Sequence, residues 1–233
     1  MGQDVVTVVF ETLAQVEDAG RKSLADTAYE RLRDRLLMLD IKPGDLLNDE
    51  QLARELGIGR TPVREALKRL ELDRLVVTYS RRGTFATRVE VTDLAFISEI
   101  RTQLEPLAAA RAARVASPAT RQKLREVMAA VEDFDVSKAT VVETLRLDAS
   151  VHQGIYAAAA NPHLEDTLIR YDNLATRIWC LVLDRLPNLE HHVREHLDLL
   201  RAVIDGDEEK AAELARDHVT GFERAVRQAL FAA

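Results

Sequence analysis

The chain has 233 residues, of which 47% are hydrophobic, 30% charged and only 5% aromatic, and it carries a net charge of −7. That length allows one or two domains with ordinary cores, and a composition rich in Ala and Leu but poor in aromatics favours helices over sheets. The single cysteine, Cys180, excludes an intramolecular disulfide framework, and no apolar run is long enough to span a membrane, so the expectation is a cytoplasmic protein with no membrane partner.

Residues 1–23 form an N-terminal extension. Its VVTVVF segment fits a short strand or the start of an amphipathic helix, and it lacks the basic start of a secretion signal. From Leu24, apolar residues recur every three or four positions (Ala28, Leu32, Leu36, Leu39), predicting a helix that stops at the turn signal Lys42-Pro43-Gly44. Asn48, with Gln51 three residues later, has the form of an N-cap for a short helix that ends at Gly57. Thr61 and Pro62 then suggest a capped start to a third helix running to about Leu72. LVVTY and TFATRV read as two short strands around Ser80-Arg81-Arg82-Gly83. Beyond Val89 six helices fit the pattern, at about 92–116, 118–133, 138–160, 162–185, 189–205 and 208–231, separated by Pro, Asn and Gly signals.

The fold class is therefore mainly α: an N-terminal winged helix-turn-helix over residues 24–88, followed by an all-helical bundle over 89–233. Charge is distributed unevenly between the two. Residues 54–88 hold 9 Lys and Arg against 4 Asp and Glu, whereas residues 89–233 hold 17 against 24. A basic patch on an acidic body suits a protein of which only one part meets a polyanion. In the third helix Val63, Ala66, Leu67 and Leu70 share an inward face. Arg60, Thr61, Arg64 and Lys68 fall on or near the other face, where the helix N-terminus and arginine forks suit phosphates and guanine edges. Arg81 and Arg82 crown the hairpin, and Gly83 allows a close approach. A solvated basic face, or a wing that binds protein, is the alternative.

The segments KPGDLLNDEQLARELG, RTPVREAL and RRGTF closely resemble the DNA-binding domain of the GntR family of bacterial transcription regulators, over residues 24–88. The resemblance implies that Arg60, Thr61 and Arg64 contact bases and phosphates. It makes Gly83 the wing-tip glycine, and puts Gln51 where some members carry a DNA-contacting arginine.

In the helical half, polar residues interrupt apolar stripes. Val141, Leu145, Asp148, His152, Ile155 and Ala159 follow spacings of three and four, with a carboxylate and an imidazole one turn apart. His196 runs with Val193, Leu200 and Val203, and His218 with Ala211, Leu214, Phe222 and Ala225. Each histidine alone fits a hydrogen-bonded core residue; three of them with Asp148 equally fit a divalent-metal site. His192, one turn before His196, is an alternative ligand, while His163 and His191 read as surface residues.

Residues 90–233 resemble the helical effector-binding domain, FCD, of the FadR branch of that family. The likeness rests on EIRTQLEPLAAARAA, the Asp148-x3-His152 pair, His196 and His218. It implies a homodimer that binds double-stranded operator DNA and answers to a small organic-acid effector. It also implies a divalent metal on Asp148, His152, His196 and His218, zinc first, with nickel, manganese or iron(II) also compatible. Arg101 and Asn173 are the implied effector contacts, with Arg170 and Arg177 as further candidates. The expected function is a metabolite-responsive repressor and not an enzyme. A metal-dependent hydrolase, or a regulator whose metal is purely structural, are the rival readings.

Overall fold

The computed structural model of the chain describes residues 22–182 and 189–231. In order these form α1 Leu24–Leu37, β1 Leu46–Leu47, α2 Asp49–Leu56, α3 Arg60–Leu72, β2 Val76–Tyr79 and β3 Gly83–Ala86. There follow α4 Asp93–Val115, α5 Pro118–Glu132, α6 Val141–Ala158, α7 Pro162–Cys180, α8 Leu189–Asp205 and α9 Glu208–Phe231. The described residues group into two compact units: 22–91 together with Thr176–Leu181, and Thr92–Ala175 together with 182 and 189–231.

In the smaller unit, α1 opens on a capping box. The Ser23 hydroxyl accepts from the Asp26 amide, and the Asp26 carboxylate accepts from the Ser23 amide. Asn48 caps α2 by accepting from the Glu50 and Gln51 amides, and Gly57 ends the helix at φ 66°. The start of α3 departs from expectation. It begins at Arg60 with Gly59 as its N-cap, and no side chain caps it. Thr61 and Pro62 are its second and third residues, because proline's fixed φ is tolerated throughout a first turn. Ala28, Leu32 and Leu36 of α1 are fully buried, as are Val63, Ala66 and Leu70 of α3, on which α1 packs. Each large apolar side chain so buried contributes about 1.5–3 kcal/mol.

β2 and β3 pair antiparallel, Val76 opposite Ala86 and Tyr79 opposite Gly83. The two residues of β1 add a third strand on the far edge of β3, Leu46 opposite Phe85. A two-residue strand has no periodicity to detect, so the sequence did not reveal it. Arg177, in the last turn of α7, belongs to this unit: its guanidinium donates to the Thr87 hydroxyl at 2.6 Å and the Thr87 carbonyl at 2.8 Å.

In the larger unit α9 lies along α4, and α5 packs on α6 and α8. Ala108, Ala109 and Ala112 of α4 join Leu124, Val151, Leu168, Leu200 and Ala211 in one apolar core. The helix expected over 138–160 is shorter, because Thr140 and Glu143 make a capping box that fixes its start. Val141 is thereby exposed and not part of the inward stripe. The expected helix over 162–185 ends at Cys180, and residues 183–185 lie outside the described residues. Arg121 of α5 ties two helix ends together. It donates to the Ala113 and Ala116 carbonyls at the end of α4 at 2.6 and 3.1 Å, to Val203 at 2.9 Å, and to Ile204 near the end of α8.

Candidate metal centre and nucleic-acid interface

Asp148 and His152 project from one face of α6, His196 from α8 and His218 from α9. All four are buried, and one ligand atom of each lies within 4.8 Å of the others. Ring centroids stand 5.2 Å apart for His152 with either partner and 4.4 Å for His196 with His218. Asp148 Oδ1 and both nitrogens of His196 have no hydrogen-bond partner among the described residues. Buried polar atoms left in that state are costly. A carboxylate and three imidazoles suit a first-row divalent cation, and coordination would satisfy Asp148 Oδ1 and one of the two His196 nitrogens.

Groups behind the ligands hold two of the rings. His152 Nδ1 is 3.2 Å from Glu105 Oε2 on α4 and 3.2 Å from the Tyr156 hydroxyl. His218 Nδ1 is 3.1 Å from Glu195 Oε2 on α8. A ring engaged through Nδ1 presents Nε2 to an ion, the usual outer arrangement of metal-bound histidine. His192 is half-buried. Its Nε2 lies 3.5 Å from Asp148 Oδ1, as does that of His196, and its ring stacks on His218 at 4.4 Å. It groups with Glu195 and His218 instead of joining the four. His163 and His191 are exposed.

The charges are strongly coupled. Burial works to raise Asp148, but the surrounding imidazoles, His192 foremost, hold its carboxyl at about 2. Burial works to lower His152, yet the Glu105 carboxylate carries it to about 9. For His196 and His218 burial dominates and keeps both rings well below the usual imidazole range, hence neutral and ready to coordinate.

Arg101, 5% exposed on α4, adjoins this cluster. It donates from Nε to Glu105 at 2.5 Å, and its Nη2 lies 3.2 Å from Asp172 on α7. Against the pull of burial, Arg101 and His152 hold Glu105 ionised, below the carboxylate range. Burial pushes Asp172 up to about 6. A connected series thus runs Asp172–Arg101–Glu105–His152. The sequence named Arg101 and His152 but missed Glu105, Asp172, Tyr156 and Glu195. Glu105 lies one turn after Arg101, a spacing at which a buried pair can form. Asn173, the next residue after Asp172, is buried, and its Nδ2 has no hydrogen-bond partner among the described residues. Arg170 is half-buried on the same helix. Arg177 does not join the Arg101 group; its guanidinium is spent on Thr87.

In the smaller unit Arg60, Thr61, Arg64 and Lys68 on α3 are all exposed, as are Gln51 on α2 and Arg82 and Gly83 at the hairpin. No acidic residue occupies the first turn of α3, which leaves its amino end free for an anion. Gln51 donates to Glu55 at 2.8 Å. Gly83 has φ 105°, a backbone conformation that strains any other residue, while a Cβ there would stand 2.8 Å from Leu46 Cδ1, the tip of an exposed side chain that can turn aside. Arg60 and Arg64 both engage Asp49.

Two family signatures cover the chain: bacterial regulatory proteins of the gntR family over residues 24–86, and the FCD domain over residues 97–221. An HTH-type transcriptional regulator from an unstable DNA locus of Streptomyces ambofaciens is 30% identical, over 86% of this chain and 83% of that protein. The HTH-type transcriptional repressor RspR of Escherichia coli (strain K12) is 24% identical over 86% of this chain and 87% of its own. The solved structure of E. coli McbR/YncC shares the fold, with a TM-score of 0.77 at 22% identity, covering 89% of this chain and 99% of that one. With its winged head, its helical unit and matches over both, the chain belongs to the GntR family of bacterial transcription regulators, carries an FCD domain and is not an enzyme.

Proposed function

We propose that this protein is a cytoplasmic, homodimeric, metabolite-responsive repressor. Residues 24–88 read a palindromic operator, with Arg60, Thr61, Arg64 and Lys68 in the major groove and Arg82 and Gly83 at the wing. Gln51 lies at the edge of that surface. Residues 89–233 supply dimerisation, hold a divalent ion on Asp148, His152, His196 and His218, and bind a small carboxylate through Arg101 and Asn173. The dimer follows the family's two-fold habit, and the name of the E. coli relative RspR supports repression.

The observation that carries the metal reading is the buried grouping of one carboxylate and three imidazoles in which Asp148 Oδ1 and both His196 nitrogens are unsatisfied. Zinc is the first expectation; nickel, manganese and iron(II) suit the same donors. When bound, the ion supplies an open coordination position for a carboxylate oxygen. Arg101 is already held between Glu105 and Asp172. An incoming acid therefore reaches its guanidinium by exchange with Asp172, which burial makes the more easily neutralised of the two carboxylates. Binding shifts the reading heads only as far as the acid prefers one arrangement of the dimer over another.

The test is elemental analysis of the purified chain, followed by thermal unfolding with a panel of small organic acids, with and without a chelator. Near-stoichiometric divalent metal and an acid that raises the melting temperature only in metal-loaded protein are expected. Metal-free protein that gains none on loading sinks the metal assignment. Metal without any responding acid shows a structural ion instead.

A further inference from the structure

We propose that Asp49 is a specificity-determining residue of the DNA-reading surface: one carboxylate aims both recognition arginines and holds them back from indiscriminate phosphate binding. The proposal rests on Arg60 and Arg64 being base-reading residues, and its test separates the two claims.

Asp49 is the first residue of α2, with its backbone fixed by the Asn48 cap just before it. Its carboxylate reaches across to α3. Arg60 Nη2 lies 3.3 Å from Oδ1 and 3.4 Å from Oδ2, while Arg64 donates from Nε to Oδ2. Arg60 and Arg64 are one turn apart and half or more exposed, whereas Asp49 is 23% exposed. One inward carboxylate thus gathers two outward guanidiniums. The contact depresses the Asp49 carboxyl, Arg64 first and Arg60 after it, so the charge is present at neutral pH.

Two consequences follow from the chemistry. Arg64, which gives Nε to the carboxylate, keeps both Nη groups, and that outer fork is the edge that pairs with guanine O6 and N7; Arg60, held through Nη2, is oriented by the same carboxylate and keeps Nη1 and Nε. Fixing the fork before contact removes part of the ordering cost of binding. The same carboxylate also cancels one of two positive charges at a place where a phosphate would otherwise be attracted by both. Asp49 therefore weakens charge-only binding and preserves base reading, which widens the gap between operator and random DNA. Exposed ion pairs add little to folding stability, so the effect falls on recognition.

The experiment uses the full-length protein and a duplex enriched from a random pool by repeated selection with the wild type. Affinity for that duplex and for a randomised duplex of equal length is measured across a salt series for wild type, Asp49→Asn, Glu50→Gln and Arg64→Ala. Glu50 makes the same charge change on the same helix turn but pairs with Arg54, not with α3. For Asp49→Asn, tighter binding of the randomised duplex, a salt slope steeper by about one charge and a selected-to-random ratio lowered about tenfold are expected. Glu50→Gln should leave the ratio near wild type. A ratio unchanged in Asp49→Asn, or lowered equally by Glu50→Gln, overturns the proposal. If Arg64→Ala also leaves the ratio unchanged, the base-reading assignment beneath it falls instead.

Discussion

Replacing Glu105 by glutamine tests how the buried series supports the proposed metal ligands. The carboxylate is 3% exposed; it accepts from Arg101 Nε at 2.5 Å and faces His152 Nδ1 at 3.2 Å. Removing one member of a buried ion pair costs about 3–5 kcal/mol when the other is left uncompensated. Arg101 keeps Asp172 at 3.2 Å, so a loss nearer 2–3 kcal/mol is expected. Loss of a partner behind a metal-bound histidine lowers metal affinity about 10–100-fold. The glutamine oxygen can still accept from Nδ1, which places the expected loss near the tenfold end, about 1.4 kcal/mol. Denaturant unfolding in the presence of a chelator reads the first effect, and zinc competition against a chromophoric chelator reads the second. A Glu105→Gln protein with an unchanged unfolding midpoint and unchanged zinc affinity would refute the supporting role given to this carboxylate.

Three other outcomes follow from the geometry. Arg121→Ala withdraws a charged donor from four carbonyls at two helix ends and should destabilise the helical unit by about 2–4 kcal/mol, with partial recovery in Arg121→Lys; equal unfolding midpoints for wild type and Arg121→Ala would contradict it. Gly83→Ala forces a side chain into φ 105° and against Leu46, which should cost about 1–3 kcal/mol and weaken duplex binding, both measurable on the intact protein; wild-type values would show that the wing turn readjusts. The Cys180 thiol donates to the Leu37 carbonyl at 3.2 Å, and burial pushes it up from 9.0 to about 11. At pH 8 its thiolate fraction is then about one-hundredth of that in the unfolded chain. Alkylation should be correspondingly slow until denaturant is added, and equal rates would place the thiol in water.

The helical reading head was legible because its signals are local. Asn48 acts through its own side chain on the next amides, Gly57 and Gly83 through their own backbone geometry, and the apolar faces of α1 and α3 repeat at a helical period. Where two local signals competed, as at Thr61 and Pro62, the start of α3 shifted by two residues. β1 escaped notice, since a two-residue strand exists only by virtue of β3 beside it. In the larger unit, Asp148 and His152 advertised themselves as polar residues one turn apart on an apolar face. Glu105, Asp172 and Glu195 looked like ordinary members of charged helices.

By itself, then, the sequence determined which segments are helical, which faces turn inward and which residue types interrupt those faces, because helix formation and amphipathicity are properties of neighbours three and four positions apart. Only the tertiary structure decided which interruptions meet. Residues 105, 152, 172 and 196 lie on four different helices, and packing alone brings their side chains into one cluster. The same is true of Asp49: its sequence shows the first residue of a capped helix, and only the placement of α2 against α3 sets its carboxylate between two arginines.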